Sequence, residues 1–124
     1  MMASGLLAPI AFLLLASCQV LGADTPCTKQ IDWVDFIQVG STHYVAGPGS
    51  VTTLQESDLG PAYATVKFKV GGNVCDENYK LNDGDAALLE PGATIYEVKG
   101  YPPSQRLAAR RQGQILVYVA MPPA

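Results

Sequence analysis

Histidine is all but missing from this chain: the 124 residues hold one, His43. There are three cysteines and no C-x-x-C pair, so the ligand set of a usual zinc site cannot be assembled. No P-loop, G-x-S-x-G elbow, H-E-x-x-H helix or dinucleotide fingerprint occurs, and no cofactor is expected. Positive charge is scarce as well. Eight Lys and Arg face eleven Asp and Glu, for a net charge of −3. A pI near 4.9 argues against nucleic acid as a partner, because phosphate binding needs a basic face. Long apolar runs are absent too. The run "LLAPIAFLLLA" (6–16) falls short of the roughly 20 residues a spanning helix needs, and nothing after Ala23 comes near it. Repeats and low-complexity segments are likewise missing.

What is present begins with an uncharged leader. Residues 1–23 contain no Asp, Glu, Lys, Arg or His, and the apolar run with its Pro9 has the length of a signal-peptide core. Directly after it, Leu15-Ala16-Ser17-Cys18 resembles the lipobox of bacterial lipoproteins. That resemblance implies a diacylglyceryl group on the Cys18 sulfur, removal of residues 1–17 and a membrane as partner through the lipid anchor. Two or more acyl chains hold a protein stably where one does not. Residues 18–27 would then be the lipidated cysteine and its tether. The leader departs from export signals in one respect, since "MMASG" lacks a Lys or Arg. The alternative is an ordinary secreted protein cleaved after Ala23. The stretch "DGDAALLEPGATIYEVKGYPPSQRLAAR", with "DWVDFIQV" and "LGPAYATVKFKV", is similar to small exported bacterial proteins of unassigned function. That resemblance implies an envelope location and no particular chemistry.

Under either cleavage Cys27 and Cys75 are the cysteines left to pair, in an oxidising compartment. A disulfide closing so long a loop contributes about 4 kcal/mol on the chain-entropy account. In a domain of about 100 residues, with total stability of only about 5–15 kcal/mol, that is a large share. Two separate thiols are the alternative.

From 28 to 121 the chain reads as short strands and turns, with 122–124 as a tail. "IDWVDFIQV" (31–39) and "THYVA" (42–46) flank Gly40-Ser41, a hairpin signal. "YATVKFKV" (63–70) alternates, which puts Ala64, Val66, Phe68 and Val70 on the buried face. Asn82-Asp83-Gly84-Asp85 and Pro91-Gly92 are turns around "AALLE" (86–90). "TIYEVKG" (94–100) and "QILVYVA" (114–120) follow, the latter apolar enough to be central. Between them, 104–113 reads as a helix capped by Ser104 or as a strand with Arg106, Ala108 and Arg110 facing water; the β context favours the strand. The expected fold is all-β: a small single-domain barrel or sandwich of about seven short, mostly antiparallel strands.

Few residues offer chemistry. His43 sits near Ser41 in sequence, with Asp35 and Asp58 elsewhere, but one His among several Ser and Asp does not make a triad. The reading is a partly exposed strand histidine, and no catalytic residue is assigned. "CDENYKLNDGD" (75–85) is oxygen-rich but lacks the EF-hand order, so no metal site is assigned. Trp33 is expected in the core, and Arg106, Arg110 and Arg111 as a solvated edge. The candidate contact loop is Tyr101, Pro102, Pro103 and Arg106: an amphipathic ring, a stiffened backbone and a donor fork, which together lose little entropy on binding. Its plain alternative is a rigid connector. These features imply an exported, non-enzymatic module for a protein, peptide or glycan ligand. The competing class is a small secreted or surface enzyme using His43 with a carboxylate.

Overall fold

The computed structural model describes Cys27, residues 30–47 and residues 53–123. The expected signal peptide, Cys18 and the tether up to residue 26 lie outside the described residues. The rest is one all-β domain, a curled, mostly antiparallel sheet forming a half-barrel. Its strands are β1 (Phe36–Val39), β2 (Thr42–Val45), β3 (Leu59–Thr65), β4 (Phe68–Lys69), β5 (Asp85–Ala86), β6 (Thr94–Val98), β7 (Arg106–Arg111) and β8 (Gln114–Ala120). They are ordered β3-β6-β7-β8-β2-β1-β5-β4, so β8 is central as its apolar sequence demands. Among the described residues only β4 and β5 run parallel.

Two hairpins build most of the sheet from local signals. Gly40, at φ 59°, turns β1 into β2 with Val39 opposite Thr42. Gln112 and Gly113, at φ 53° and 79°, turn β7 into β8 with Arg111 opposite Gln114. Positive φ at both central residues is the two-residue turn that matches strand twist. Residues 106–111 are therefore strand, not helix. Ala108, however, is buried rather than wet. It packs with Val98 and Ile115 beneath Leu54 and Leu59, so the segment leading into β3 and the first residue of that strand roof this part of the outer face.

The alternating run 63–70 proves to be two strands. β3 pairs with β6, while β4 pairs with β5 at the other margin of the sheet. Val66 and Lys67 alone connect them. Val66 exchanges hydrogen bonds with Ala93 and Gly92, and Lys67 N–H then donates to Gly84 O at 2.8 Å. This change of partner breaks the alternation. Val66 joins the interior cluster of Ile37, Tyr44, Leu89, Ile95 and Tyr118. Val70 is buried in a separate cluster with Phe36 and Ala87, beside Trp33. Phe68, expected inward, is 38% exposed and lies against Tyr79.

Cys27 and Cys75 form a disulfide, with Cα atoms 5.2 Å apart. It ties the start of the domain to the 70–81 segment, whose Val74, Tyr79 and Leu81 cover Phe36 and Ala87. Two interior tyrosines find partners at their hydroxyls. Tyr118 donates to Asp35 Oδ1 at 3.0 Å and Tyr44 donates to Pro103 O at 2.8 Å.

Candidate functional site

The sheet register carries two cross-strand rows of outward side chains to one place. Phe36 pairs with Val45, Val45 with Val119, and Val119 with Arg106. In the next row Gln38 pairs with His43, whose carbonyl accepts from Met121 N–H at 2.8 Å. Directly paired residues share a face of the sheet. Where β2, β7 and β8 end, these rows border an open groove of about 1040 Å³. One wall is Ser41, Thr42 and His43; another is Ser104, Gln105 and Arg106; the third is Val119 to Pro123. Thus His43 and Arg106, 63 positions apart in sequence, line the same hollow.

The 99–106 loop is held firmly. Lys99 N–H donates to Asp58 O, Tyr101 N–H to Val98 O, and Gln105 N–H to Pro102 O at 2.9 Å. The buried Tyr44 hydroxyl fixes Pro103 from below. Ala120 N–H donates to Gln105 O and joins the loop to the end of β8. On this mount the Arg106 guanidinium lies over the Tyr101 ring, 4.3 Å from its centroid. Tyr101 is 43% exposed. The expected contact loop is thus an ordered arginine–tyrosine pair at the rim of the groove, and Pro102 and Pro103 serve as its support.

The three arginines of β7 do not act as one cluster. Arg110 pairs with Glu56 and donates to Tyr96 OH at 2.9 Å. Arg111 Nε lies 3.7 Å from Asp35 Oδ2. Arg106 has no carboxylate partner among the described residues.

His43 is half-buried, its ring 5.0 Å from that of Phe36. Gln38 donates its amide N–H to Gly40 O at 3.3 Å, which turns its oxygen toward His43 Nδ1 at 3.2 Å. With the amide oriented this way, Nδ1 of the neutral ring donates to Gln38. Burial pushes the His43 pKa below 6.5, favouring the neutral ring. Neither aspartate considered as a partner reaches it. Asp35 accepts from Tyr118, and Asp58 accepts from Gln55 N–H at 2.9 Å. Ser41 lines the groove beside His43, but among the described residues no carboxylate orients the imidazole.

The oxygen-rich 75–85 segment is used internally. Asp85 is buried and accepts from Tyr79 OH and Asn82 N–H. Asp83 accepts from Gly40 N–H at 2.7 Å and from Lys67, which hold its carboxyl below the usual range. Asp76 accepts from Asn78 N–H. Among the described residues no group of three or more His, Cys, Asp or Glu is placed to hold a metal ion.

Sequence reasoning missed Gln38 as the partner of His43 and the 119–123 stretch as a groove wall. The first was readable, because a two-residue turn at Gly40-Ser41 sets Gln38 opposite His43. The second depends on β2–β8 pairing, for which no local signal exists. Comparison with protein-family models, with curated proteins and with solved structures finds no match.

Proposed function

We propose that this is an exported protein, anchored to a membrane through lipid on Cys18, whose domain is a non-enzymatic binding module at the cell envelope. The single observation that carries the binding reading is the Arg106–Tyr101 pair, mounted on a hydrogen-bonded loop at the rim of an open groove. A surface ordered before its ligand arrives loses little entropy on binding. The Leu15-Ala16-Ser17-Cys18 run supports the anchor, and the Cys27–Cys75 disulfide fits an oxidising compartment.

Two measurements test this. In a bacterial host, Cys18→Ser should abolish fatty-acid labelling and release the chain from membranes; a mature amino terminus at Asp24 without acyl mass refutes the anchor. The full chain, screened against peptide and glycan arrays, should retain ligands that are lost with Tyr101→Ala combined with Arg106→Ala, at an unchanged melting temperature. His43→Ala should leave retention intact. A turnover activity abolished by His43→Ala would replace this reading with the enzymatic one.

A further inference from the structure

We propose that the groove recognises the free C-terminal carboxylate of a short peptide, with the Arg106 guanidinium as its partner. This rests on the binding-module reading and names the chemistry of its ligand.

Charge is the first ground. In a chain with eleven acidic and eight basic residues, the described residues that line this groove include an arginine and no Asp or Glu. The other two arginines of β7 are placed beside Glu56 and Asp35, while Arg106 has no carboxylate partner among the described residues. The Arg106 guanidinium carbon lies 4.3 Å from the Tyr101 ring centroid, a contact that restrains the fork. With five N–H donors and no carboxylate partner among the described residues, it keeps donors for a ligand. A planar fork held in one orientation matches a carboxylate by two parallel hydrogen bonds. The hydroxyls of Ser41 and Ser104 supply further donors around the same hollow.

Shape and polarity favour a peptide over a small free acid. A volume of about 1040 Å³ is far larger than a simple carboxylate requires and is of the size that holds drug-sized ligands. The apolar wall formed by Val119, Ala120 and Met121 stands beside the arginine, and Met121 is 48% exposed. A peptide terminus presents both parts together: a carboxylate for Arg106 and, next to it, a side chain that can cover that wall.

The test offers the full chain two libraries of short randomised peptides, identical except for a free or an amidated C-terminus, and reads retention by mass spectrometry. Free acids should be enriched at least about tenfold over amides, the order that a charge-assisted hydrogen bond provides. Arg106→Gln should abolish that preference, and Arg110→Gln should keep it. Tyr101→Leu, which removes the ring beneath the guanidinium, should reduce it and serves if Arg106→Gln does not fold. Equal retention of acids and amides overturns the carboxylate chemistry while leaving the binding module standing. Displacement of the acids by millimolar benzoate with the same loss in Arg106→Gln, and no dependence on peptide sequence, overturns the peptide as the ligand. If neither library is retained the inference fails, and the glycan arrays then decide separately whether the module reading fails with it.

Discussion

Tyr118→Phe removes one oxygen from a side chain with no solvent exposure, and its cost follows from what that oxygen touches. The hydroxyl donates to Asp35 Oδ1 at 3.0 Å, and among the described residues the charged group facing that carboxylate is Arg111, at 3.7 Å. A hydrogen bond to a charged group contributes about 1.5–3 kcal/mol. For a domain of this size each kcal/mol moves the melting temperature by about 4–8 °C, so a loss on the order of 10 °C is expected. Tyr44→Phe is the internal control. Its side chain is also buried, but its hydroxyl donates to the neutral Pro103 carbonyl, so about 1 kcal/mol should be lost. The two differ most in their response to pH. Burial raises the Asp35 pKa above 3.8, while the Tyr118 hydrogen bond and Arg111 work against that rise. A folded pKa above the unfolded value means that the Asp35 contribution is fully present below 3.8 and is lost as pH rises through the folded value. Without the Tyr118 hydroxyl the folded pKa rises further, which deepens the penalty at neutral pH and leaves the acid end little changed. Urea unfolding across this range, with the disulfide intact, should show a Tyr118→Phe deficit that shrinks as Asp35 protonates. The Tyr44→Phe deficit should stay flat. A constant Tyr118→Phe deficit, or one no larger than that of Tyr44→Phe, would refute the charge-assisted role of this bond.

Val66→Asp should unfold the domain, since an unpaired charge in the interior costs several kcal/mol, whereas Phe68→Asp at the exposed position two residues on should still give a folded circular-dichroism spectrum. Replacing Cys27 and Cys75 together by Ser should lower the unfolding free energy in urea by up to about 4 kcal/mol, for a pair separated by 48 positions; an unchanged midpoint would sink this account. Gly71→Ala should cost about 1–3 kcal/mol, because an added Cβ would sit 2.5 Å from the Ala87 carbonyl oxygen, which is backbone and cannot swing away. The His43 ring should titrate with a midpoint below 6.5 by NMR, and the fold should weaken as pH falls through that region; a midpoint above 6.5 would mean that the ring is not desolvated as described.

The hairpins were legible in the sequence because their determinants are local. Gly40-Ser41 and Gln112-Gly113 each close adjacent strands, and the apolar 114–120 run named the central strand. The alternation at 63–70 misled at Phe68, since period alone does not record that a chain changes neighbours. Only the positions of β5 and β6 dictate that break. Ala108 was misplaced for a related reason: its roof, Leu54 and Leu59, comes from a segment about fifty positions earlier. The site was half legible. Tyr101 and Arg106 stood out by residue type, and His43 by being alone. That His43 and Arg106 line one groove follows from the pairing of β2 with β8, which joins positions about 75 apart and leaves no mark in either stretch.

The two-residue link at Val66 and Lys67 has a bearing on how the molecule opens. Strands at the margins of a sheet present unpaired backbone groups that invite another chain to add on. Here one continuous segment, 59–69, lies along β6 on one side and β5 on the other. If it lifts away, two fresh edges are bared in a single event rather than one. The amides of Val66 and Gly92 on one side, and of Lys67 and Val70 on the other, should then exchange with solvent at a common rate. Self-association in this protein should therefore begin from that opening, and tightening the link should suppress it at both margins.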